Sequence, residues 1–314
     1  MYIVNKLSLS VIVPTYNRHN DLEECLRSLF EMKQPPDEVI VVDSCSTDGT
    51  YELVKQFQAK YLCIRERSMV KARNVGLRHA TGDVVAYIDD DVIVSESWSI
   101  HILDSYEDEK VGGVGGRVLP YSTCREACIP VHVQEIDERL IGKVLNDGIV
   151  LGNFDVPTST PIEVDTLIGC NMSFRRKLLI RIGGFDEKFQ GNCYRDDTDA
   201  CLRLKRLGYK LVYNPKALVW HKFRGKSTKL SWYYWTAYNH TYFFLKNFRP
   251  LTMKRLLDFL HGLFPYSYYS YVKKSGVKFK LRPLTITYAF LGLIAGVYAC
   301  KGDLLWFRKL LRID

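Results

Sequence analysis

The alternation of short apolar runs with helical patterns in the first ninety residues constrains the fold more than any other feature. Four β-branched or apolar runs alternate with three amphipathic patterns, the runs covering 9–17, 37–44, 61–66 and 83–91 and the patterns covering 21–32, 47–57 and 70–80. Strands and helices in this order form a largely parallel sheet with helices on its faces. The predicted fold class is therefore α/β, and Asn20 is expected to cap the first helix.

Polar side chains collect where three of these predicted strands end. Tyr16 and Asn17 follow the first strand, Asp43 follows the second, and Asp89 to Asp91 follow the fourth. In open parallel sheets, ligands bind beyond the carboxyl ends of the strands. We therefore expect these residues to form one binding site.

Three consecutive carboxylates follow the run "VVAYI" and have two interpretations. Asp91 is a candidate cap for a helix predicted over 96–106. Alternatively, a hard divalent cation relieves the repulsion among Asp89, Asp90 and Asp91, and Mg²⁺ or Mn²⁺ would then attract a diphosphate. We prefer the metal interpretation, because three clustered anions beside an apolar strand need compensation.

A second acidic group and a late histidine are further candidates. Asp196, Asp197 and Asp199 begin an amphipathic pattern, where they either favour the positive end of a helix or supply a general base. His221 ends the last strand-like run and is either an ordinary polar residue or a third metal ligand.

Several nucleotide-binding and metal-binding motifs are missing. The sequence contains no GxxxxGKS loop, no GxGxxG after the first strand and no HExxH, so P-loop, dinucleotide-fold and zincin chemistries lose support.

Five segments together resemble the inverting glycosyltransferases of family 2, which have the GT-A nucleotide-sugar fold. They are "SVIVPTYNR", "VIVVDSCSTDGT", "ARNVGLRHATGDVVAYIDDD", "GCNMSFRR…GGFDEKF" and "DDTDACLRLKRLGY". The resemblance covers residues 8 to 221. The QxxRW motif of processive polysaccharide synthases is missing, which favours transfer of a single sugar.

The resemblance implies a role for each matching residue. The residues assigned to the nucleotide-sugar are Pro14, Tyr16, Asn17, Asp43, Arg73, Asp89 and Asp90. Asp89 and Asp91 match the DxD motif, and with His221 they are the implied ligands of Mn²⁺ or Mg²⁺. Asp197 matches the catalytic base, although the usual Glu-Asp pair is Asp196-Asp197 here and leaves Asp196 as an alternative.

Charge and aromatic content change near residue 221. Residues 222–314 hold 17 Lys and Arg against 3 Asp, and 22 of the 40 aromatic residues, whereas residues 1–221 carry a net charge of −5. We therefore predict a catalytic domain over 1–221 and a basic, aromatic, helical tail over 222–314. An acidic catalytic domain and apolar aromatic runs disfavour a nucleic-acid partner, the competing use of such a composition.

Two segments of the tail favour a membrane surface as partner. Residues 229–250 cluster Trp and Tyr with flanking Lys and Arg, as interfacial helices do. Residues 284–300 are uncharged and close to the minimum of about 17 residues for a span, and Gly292 and Gly296 form a GxxxG packing motif. A re-entrant or surface-lying hairpin is preferred over a single span, and a helix pair packed on the catalytic domain is the alternative.

The cysteines and the amino terminus bear on the cellular compartment. Nine scattered cysteines without a CxxC pair favour reduced thiols, although Cys124, Cys128 and His132 offer an incomplete zinc site. The amino terminus resembles no signal peptide. We therefore expect the catalytic domain at the cytoplasmic face of the cell membrane.

The predicted function is transfer of one sugar from a UDP, GDP or dTDP donor to a hydroxyl of a glycan or lipid-linked acceptor. Two alternatives are a sugar nucleotidyltransferase and a non-catalytic, membrane-bound sugar-nucleotide-binding protein. The first needs a glycine-rich, lysine-bearing loop where this chain has "PTYNRHN", and the second would leave the carboxylates idle.

Overall fold

The computed structural model describes residues 7–123, 137–222, 230–255, 257, 259 and 283–300. The chain divides into two compact units. The first comprises Met1–Lys143, Leu151–Asp186 and Ala200–Gly225, and the second comprises Val144–Val150, Glu187–Asp199 and Lys226–Asp314. The hypothetical zinc ligands Cys124, Cys128 and His132 lie outside the described residues.

The first unit is built on a nine-stranded sheet with helices packed on it. The strands of the chain are β1 (Leu9–Thr15), β2 (Glu38–Asp43), β3 (Lys60–Cys63), β4 (Val84–Ile88), β5 (Val92–Val94), β6 (Val111–Pro120), β7 (Lys143–Val144), β8 (Val150–Leu151), β9 (Ile162–Val164), β10 (Asn171–Arg175) and β11 (Lys210–His221). The helices are α1 (His19–Phe30), α2 (Thr50–Val54), α3 (Met69–His79), α4 (Trp98–Asp104), α5 (Arg176–Arg181), α6 (Asp196–Arg206), α7 (Leu230–Asn247) and α8 (Pro283–Ala299).

The strands from the first half of the chain are parallel neighbours in the order β3-β2-β1-β4, as predicted. The residues of β1, β2 and β4 are largely apolar and buried, because helices cover both faces of such a sheet, whereas the edge strand β3 is partly exposed. Thr15 pairs with Asp43 in the β1–β2 register, so the loops that carry the predicted nucleotide ligands leave the sheet side by side.

The later strands make the sheet mixed. β10 lies antiparallel between β4 and β6, β11 runs parallel to β6, and β5 and β9 pair antiparallel with β11. The short sheet of β7 and β8 is separate.

The helix cap predicted at Asn20 is wrong, and the structure also excludes the cap at Asp91 that was the alternative to a metal ligand. The strand β5 follows Asp91 directly, because the run Val92–Val94 pairs with β11, and α4 begins only at Trp98. α1 begins at His19, so Asn20 lies inside the helix. The His19 N–H donates instead to the carboxylate of Asp48, 2.9 Å away on the loop after β2.

Close packing of α3 on β1 requires a small residue. A Cβ atom at Gly76 would lie 2.4 Å from Cγ2 of Ile12, well inside van der Waals contact. The absence of this side chain lets the helix approach the sheet and supports the apolar core beneath the loops.

The second unit contains α7 and α8, which pack against each other. Cβ atoms at Gly292 and Gly296 would lie 2.1 and 2.6 Å from the backbone oxygens of Tyr234 and Tyr238. The GxxxG motif therefore serves close helix packing, as predicted. Within the described ranges, no helix combines the length and apolarity needed to cross a bilayer.

Candidate active site

Asp89, Asp90 and Asp91 form the short connection between β4 and β5. The buried strand β4 ends at Ile88, in the middle of the sheet, so neighbouring strands surround the start of the turn that carries the three carboxylates. Asp90 and Asp91 are buried, and Asp89 is partly accessible. Rigid backbone on both sides fixes their direction.

The antiparallel pairing of β5 with β11 brings His221 to this turn from 130 residues away. His221 pairs with Val92, next to Asp91, and its Nε2 lies 3.0 Å from Asp91 Oδ1. The N–H of Lys222 donates to the Asp91 carbonyl oxygen at 2.9 Å, and its ammonium lies 2.8 Å from Glu24 on α1. The end of β11 is thereby fixed against the turn.

One ligand atom from each of Asp89, Asp91 and His221 lies within 4.8 Å of the other two. Two carboxylate oxygens and an imidazole nitrogen suit a small divalent cation, with positions left for diphosphate oxygens and water. Within the described ranges, this is the one group of three such residues placed to hold a metal ion. The donor set therefore fits the predicted cation.

Burial and local charges set different protonation states within the turn. Burial raises the pKa of Asp90 to about 7 and raises that of Asp89, with Arg18 and Arg73 respectively opposing the shift. Burial alone would raise the pKa of Asp91, but the hydrogen bond with His221 and the charge of Arg18 hold it below the usual range. Burial alone would lower the pKa of His221, and Asp91 raises it above the usual value. The Asp91–His221 pair therefore favours its charged forms.

Two residues that sequence reasoning missed contact the aspartates from the β1 side. Thr15 Oγ1 donates to Asp90 Oδ2 at 2.8 Å, and Nη1 of Arg18 contacts both Asp90, at 3.1 Å, and Asp91. Thr15 is the last residue of β1, which neighbours β4 in the sheet. Its contact with Asp90 could therefore have been predicted only from the order of the strands. Arg18 supplies positive charge at the predicted metal and diphosphate position.

The predicted nucleotide ligands lie together beyond β1 and β2. Asp43 accepts hydrogen bonds from Ser46 N–H and Oγ, at 3.0 and 2.6 Å, and from Tyr61 OH at 2.7 Å. The side-chain oxygen of Asn17 accepts a hydrogen bond from Thr47 N–H at 2.8 Å. The backbone N–H of Asn17 donates to Ser46 Oγ at 2.7 Å. These bonds join the two loops into one frame.

The other nucleotide candidates are distributed around this frame. Pro14 pairs with Val42 in the sheet, and the Tyr16 ring lies 4.1 Å under the guanidinium of Arg67. Arg73 on α3 is buried, with Nη2 3.8 Å from Asp89 Oδ1 and 3.2 Å from the Gly169 carbonyl oxygen. Arg73 thus contacts the turn that carries the metal candidates, and its part in nucleotide binding stays a prediction.

The family of the chain follows from its sequence match. Residues 10–183, more than half of the chain, match the model of the family described as "Glycosyl transferase family 2". The chain belongs to glycosyltransferase family 2. Residues 156–223 of this glycosyltransferase also match the model described as "N-terminal domain of galactosyltransferase".

Curated relatives of the glycosyltransferase share about a quarter of its residues. It is 26% identical to the glucosyl-dolichyl phosphate glucuronosyltransferase of Haloferax volcanii over 74% of this chain and 76% of the relative. It is 25% identical to the probable glycosyltransferase YdaM of Bacillus subtilis over 82% of this chain and 62% of that protein. The chain therefore spans less than two thirds of the second relative.

Solved structures share the fold of this glycosyltransferase. The mannosyltransferase PcManGT of Pyrobaculum calidifontis, in complex with GDP-Man and Mn²⁺, has a TM-score of 0.58 at 21% identity, covering 97% of this chain and 89% of that one. TarS 1-349 of Staphylococcus aureus with UDP-GlcNAc has a TM-score of 0.56 at 20% identity, covering 90% and 79%. The α/β architecture of the GT-A type is thereby confirmed.

The candidate base residues of the glycosyltransferase begin α6 and belong to the second unit. Asp197 N–H donates to Asp196 Oδ1 at 2.8 Å, and Thr198 N–H donates to Asp197 Oδ1 at 2.6 Å. Asp199 is fully buried and accepts from the Lys246 ammonium and the Asn247 amide, each at 2.9 Å. These contacts give Asp199 a structural role, and Asp196 and Asp197 remain the candidates for the base.

Proposed function

We propose that this glycosyltransferase moves a single sugar from a nucleotide-diphospho-sugar to an acceptor hydroxyl, with inversion at the anomeric carbon. The observation that carries the proposal is the Asp89–Asp91–His221 group, in the same unit as the frame around Asp43 and Asn17. Family membership favours transfer over the nucleotidyltransferase and non-catalytic alternatives.

The donor is held by two parts of the first unit. Asp43 and the β1 loop contact the base and ribose, and Asp89 and Asp91 hold Mn²⁺ or Mg²⁺ together with His221. A cation held by these three residues would supply positive charge to stabilise the departing diphosphate. Arg18 and Arg73 provide further positive charge at the turn.

Asp197 acts as the general base in the proposed reaction. Its carboxylate takes the proton of the acceptor hydroxyl as the acceptor oxygen forms a bond to the anomeric carbon. The bond from that carbon to the diphosphate oxygen breaks, and the nucleoside diphosphate leaves with the bonding electrons. Attack opposite the leaving group through an oxocarbenium-like state inverts the centre.

The proposed acceptor is a lipid-linked saccharide at the cytoplasmic face of a membrane. The Haloferax volcanii relative is named for a glucosyl-dolichyl phosphate substrate, which supports this acceptor class. The tail supports a membrane surface as well, because α8 exposes apolar side chains. They are Tyr288, Phe290, Leu291, Ile294 and Tyr298.

A donor screen and a base variant test this proposal. Thermal melting with Mn²⁺ and UDP, GDP or dTDP should show stabilisation by one of them, because a ligand that binds the folded state raises its melting temperature. Asp197→Asn should lower turnover by about 10²- to 10⁴-fold while keeping the nucleotide affinity.

Asp196→Asn is the matched control for the base. It removes the neighbouring charge from the same helix start, and its turnover should stay within about tenfold of the unmodified enzyme if Asp197 takes the proton. Near-normal turnover of Asp197→Asn would overturn the assignment of the base. A protein that no nucleotide stabilises would overturn the proposed function.

A further inference from the structure

Two exposed thiols lie next to each other beside the frame around Asp43. The Sγ atoms of Cys45 and Cys63 are 3.0 Å apart, and both residues are accessible and free of any disulfide. Cys45 follows β2 by two residues, and Cys63 is the last residue of β3, the strand at the edge of the sheet. At this distance, the two sulfur atoms need only a small movement to form a disulfide bond.

The backbone fixes the approach of the two thiols. Cys63 pairs with Asp43 in the β2–β3 register, and Ile64 N–H donates to the Asp43 carbonyl oxygen at 2.8 Å. Cys45 has a φ of +58°, in the left-handed region that residues other than glycine rarely adopt. This conformation turns the Cys45 thiol toward β3, where Sγ also lies 3.2 Å from the Ile64 carbonyl oxygen.

The same loop holds Asp43 in place. Ser46, the residue after Cys45, gives Asp43 two hydrogen bonds and accepts one from Asn17 N–H. A disulfide has a sulfur–sulfur distance of about 2.05 Å, so the two Sγ atoms must move about 1 Å closer. Because β3 is held by its ladder to β2, most of this movement falls on the loop of Cys45 and Ser46.

We propose that Cys45 and Cys63 form a reversible disulfide that pulls Ser46 away from Asp43 and weakens donor binding. The effect on the donor rests on the proposed function; the bond itself does not. Disulfides are rare in reducing compartments, and those that form there are usually transient. The site is thus a covalent modification site for hydroperoxides at the nucleotide end of the sheet.

The reaction needs one hydroperoxide. A thiolate of the pair attacks the peroxide oxygen and becomes a sulfenic acid, and the oxygen–oxygen bond breaks to release water or alcohol. The thiol of the other cysteine attacks the sulfenic sulfur and forms the sulfur–sulfur bond, and its proton joins the departing hydroxyl group to give one water. Two thiols are oxidised and one peroxide is reduced, and a dithiol reductant reverses the change.

The full chain treated with hydrogen peroxide, and then with dithiothreitol, tests the proposal. Peptide mapping without reduction should find a Cys45–Cys63 link. The nucleotide that stabilises the reduced protein should bind the oxidised protein about tenfold more weakly, as loss of hydrogen bonds to a charged group predicts, and reduction should restore its affinity.

Three variants separate this effect from general oxidation. Cys45→Ser and Cys63→Ser should each bind the nucleotide equally well with and without peroxide, and either variant alone suffices if the other does not fold. Cys300→Ser, which removes a partly buried thiol of the second unit, should remain sensitive.

Two results would overturn the proposal. One is a peptide map without the Cys45–Cys63 link, and the other is a formed link with unchanged nucleotide affinity. If the reduced protein binds none of the three nucleotides, the proposed function fails and the donor effect fails with it. The peptide map still decides separately whether the bond forms.

Discussion

Arg18, the residue before α1, provides the positive charge that faces Asp90 and Asp91. Its Nη1 contacts both carboxylates, and a third of the side chain is accessible to solvent. A cation on Asp91 has to compete with this contact, because both are attracted to the same carboxylate. Once released from Asp91, the guanidinium is free to bind a diphosphate in bidentate fashion. Arg18 is therefore expected to oppose the metal and to favour the donor.

Replacing Arg18 with Gln should change the two affinities in opposite directions. Mn²⁺ should bind about fivefold more tightly in the absence of nucleotide, since a competing charge is lost, and the nucleoside diphosphate should bind about tenfold more weakly. Manganese titration followed by electron paramagnetic resonance measures the first effect, and calorimetry measures the second.

Arg27→Gln on α1 is the matched control, because Arg27 is exposed and its described ion pair is with Glu23 of the same helix. It should change neither affinity. Weaker Mn²⁺ binding by Arg18→Gln would show that Arg18 supports the metal position instead of competing for it.

The residues of the turn differ in how far the sequence could predict them. Asp89 and Asp91 match the DxD motif of the family, and His221 matches its metal-binding histidine. The resemblance of the sequence to the family was therefore sufficient to group these three residues. Thr15 and Arg18 contact the turn only because β1 neighbours β4 and α1 begins early, at a cap supplied by Asp48. Such contacts depend on the sheet order and on loop geometry, which the local sequence does not specify.

At the scale of elements, the strands that alternate with helices were predictable, and so was the strand-like run that ends at His221 and forms the end of β11, but the pairing of the later strands was not. The first four strands carry β-branched runs between clear turn residues. β5 has only three residues and therefore no strong periodic signal, and β11 has a register shift in its pairing between Asn214 and Val219. Their pairing is a tertiary contact that the pattern does not encode.

The contact between α7 and α8 should be sensitive to a single methyl group. Gly292→Ala places a Cβ atom 2.1 Å from the Tyr234 carbonyl oxygen, so the helices must separate. We expect the free energy of unfolding of the helix pair to fall by about 1–3 kcal/mol. Hydrogen exchange of the α7 amides measures this loss.

Leu291→Ala is the control for the helix contact, because its side chain lies on the exposed side of α8. It should leave the exchange of α7 unchanged to within about 0.5 kcal/mol. Equal protection in the Gly292→Ala and unmodified proteins would show that the glycine is not needed for the packing.

A buried histidine makes the stability of α7 depend on pH. His240 stacks with Phe243 and Phe259, with ring centroids 6.5 and 5.5 Å away, and burial lowers its pKa to about 3, with Arg195 contributing. Below the unfolded pKa of about 6.5, the unfolded chain binds a proton that the folded chain does not. Stability is therefore fully present above this value and falls by about 1.4 kcal/mol per pH unit toward pH 3.

His240→Phe should remove this pH dependence while keeping the stacked ring. The difference in free energy of unfolding between the variant and the unmodified protein should grow in favour of the variant by about 2 kcal/mol from pH 7 to pH 5. Hydrogen exchange of the α7 amides at the two pH values measures it. His79→Gln, which removes an exposed imidazole, is the control and should keep the pH dependence of the unmodified protein. If the free energy of unfolding of His240→Phe depends on pH as steeply as that of the unmodified protein, His240 is not the cause of the pH dependence.

At the scale of the whole molecule, charge is divided unevenly along the chain. The net charge of +9 combines an acidic part over 1–221 with a strongly basic part over 222–314. Anionic lipids attract basic segments, and exposed apolar side chains on a helix add burial in the interfacial layer. The tail therefore has both properties of a surface-binding segment.

Flotation with phosphatidylglycerol vesicles tests the membrane proposal. The full chain should float with these vesicles and remain at the bottom with neutral phosphatidylcholine vesicles at the same salt. The double substitution Phe290→Ser with Ile294→Ser should weaken vesicle binding about tenfold or more, because two exposed apolar side chains are lost from the layer.

Ile180→Ser is the matched control for flotation, since Ile180 is a similarly exposed apolar residue on α5 of the first unit. It should float as the unmodified protein does. Recovery of the unmodified chain only in the soluble fraction, with both types of vesicle, would contradict the membrane proposal.

The pairing of β11 with β5 also bears on how the chain folds. The histidine of the metal group lies 130 residues after its aspartate partner, so a growing chain contains the three aspartates long before it contains the complete ligand set. Bringing such distant segments together costs loop entropy that only the finished pairing recovers. A cation bound by all three ligands would stabilise only the state in which β11 has paired with β5. Its binding would therefore shift the folding equilibrium toward chains with a complete sheet.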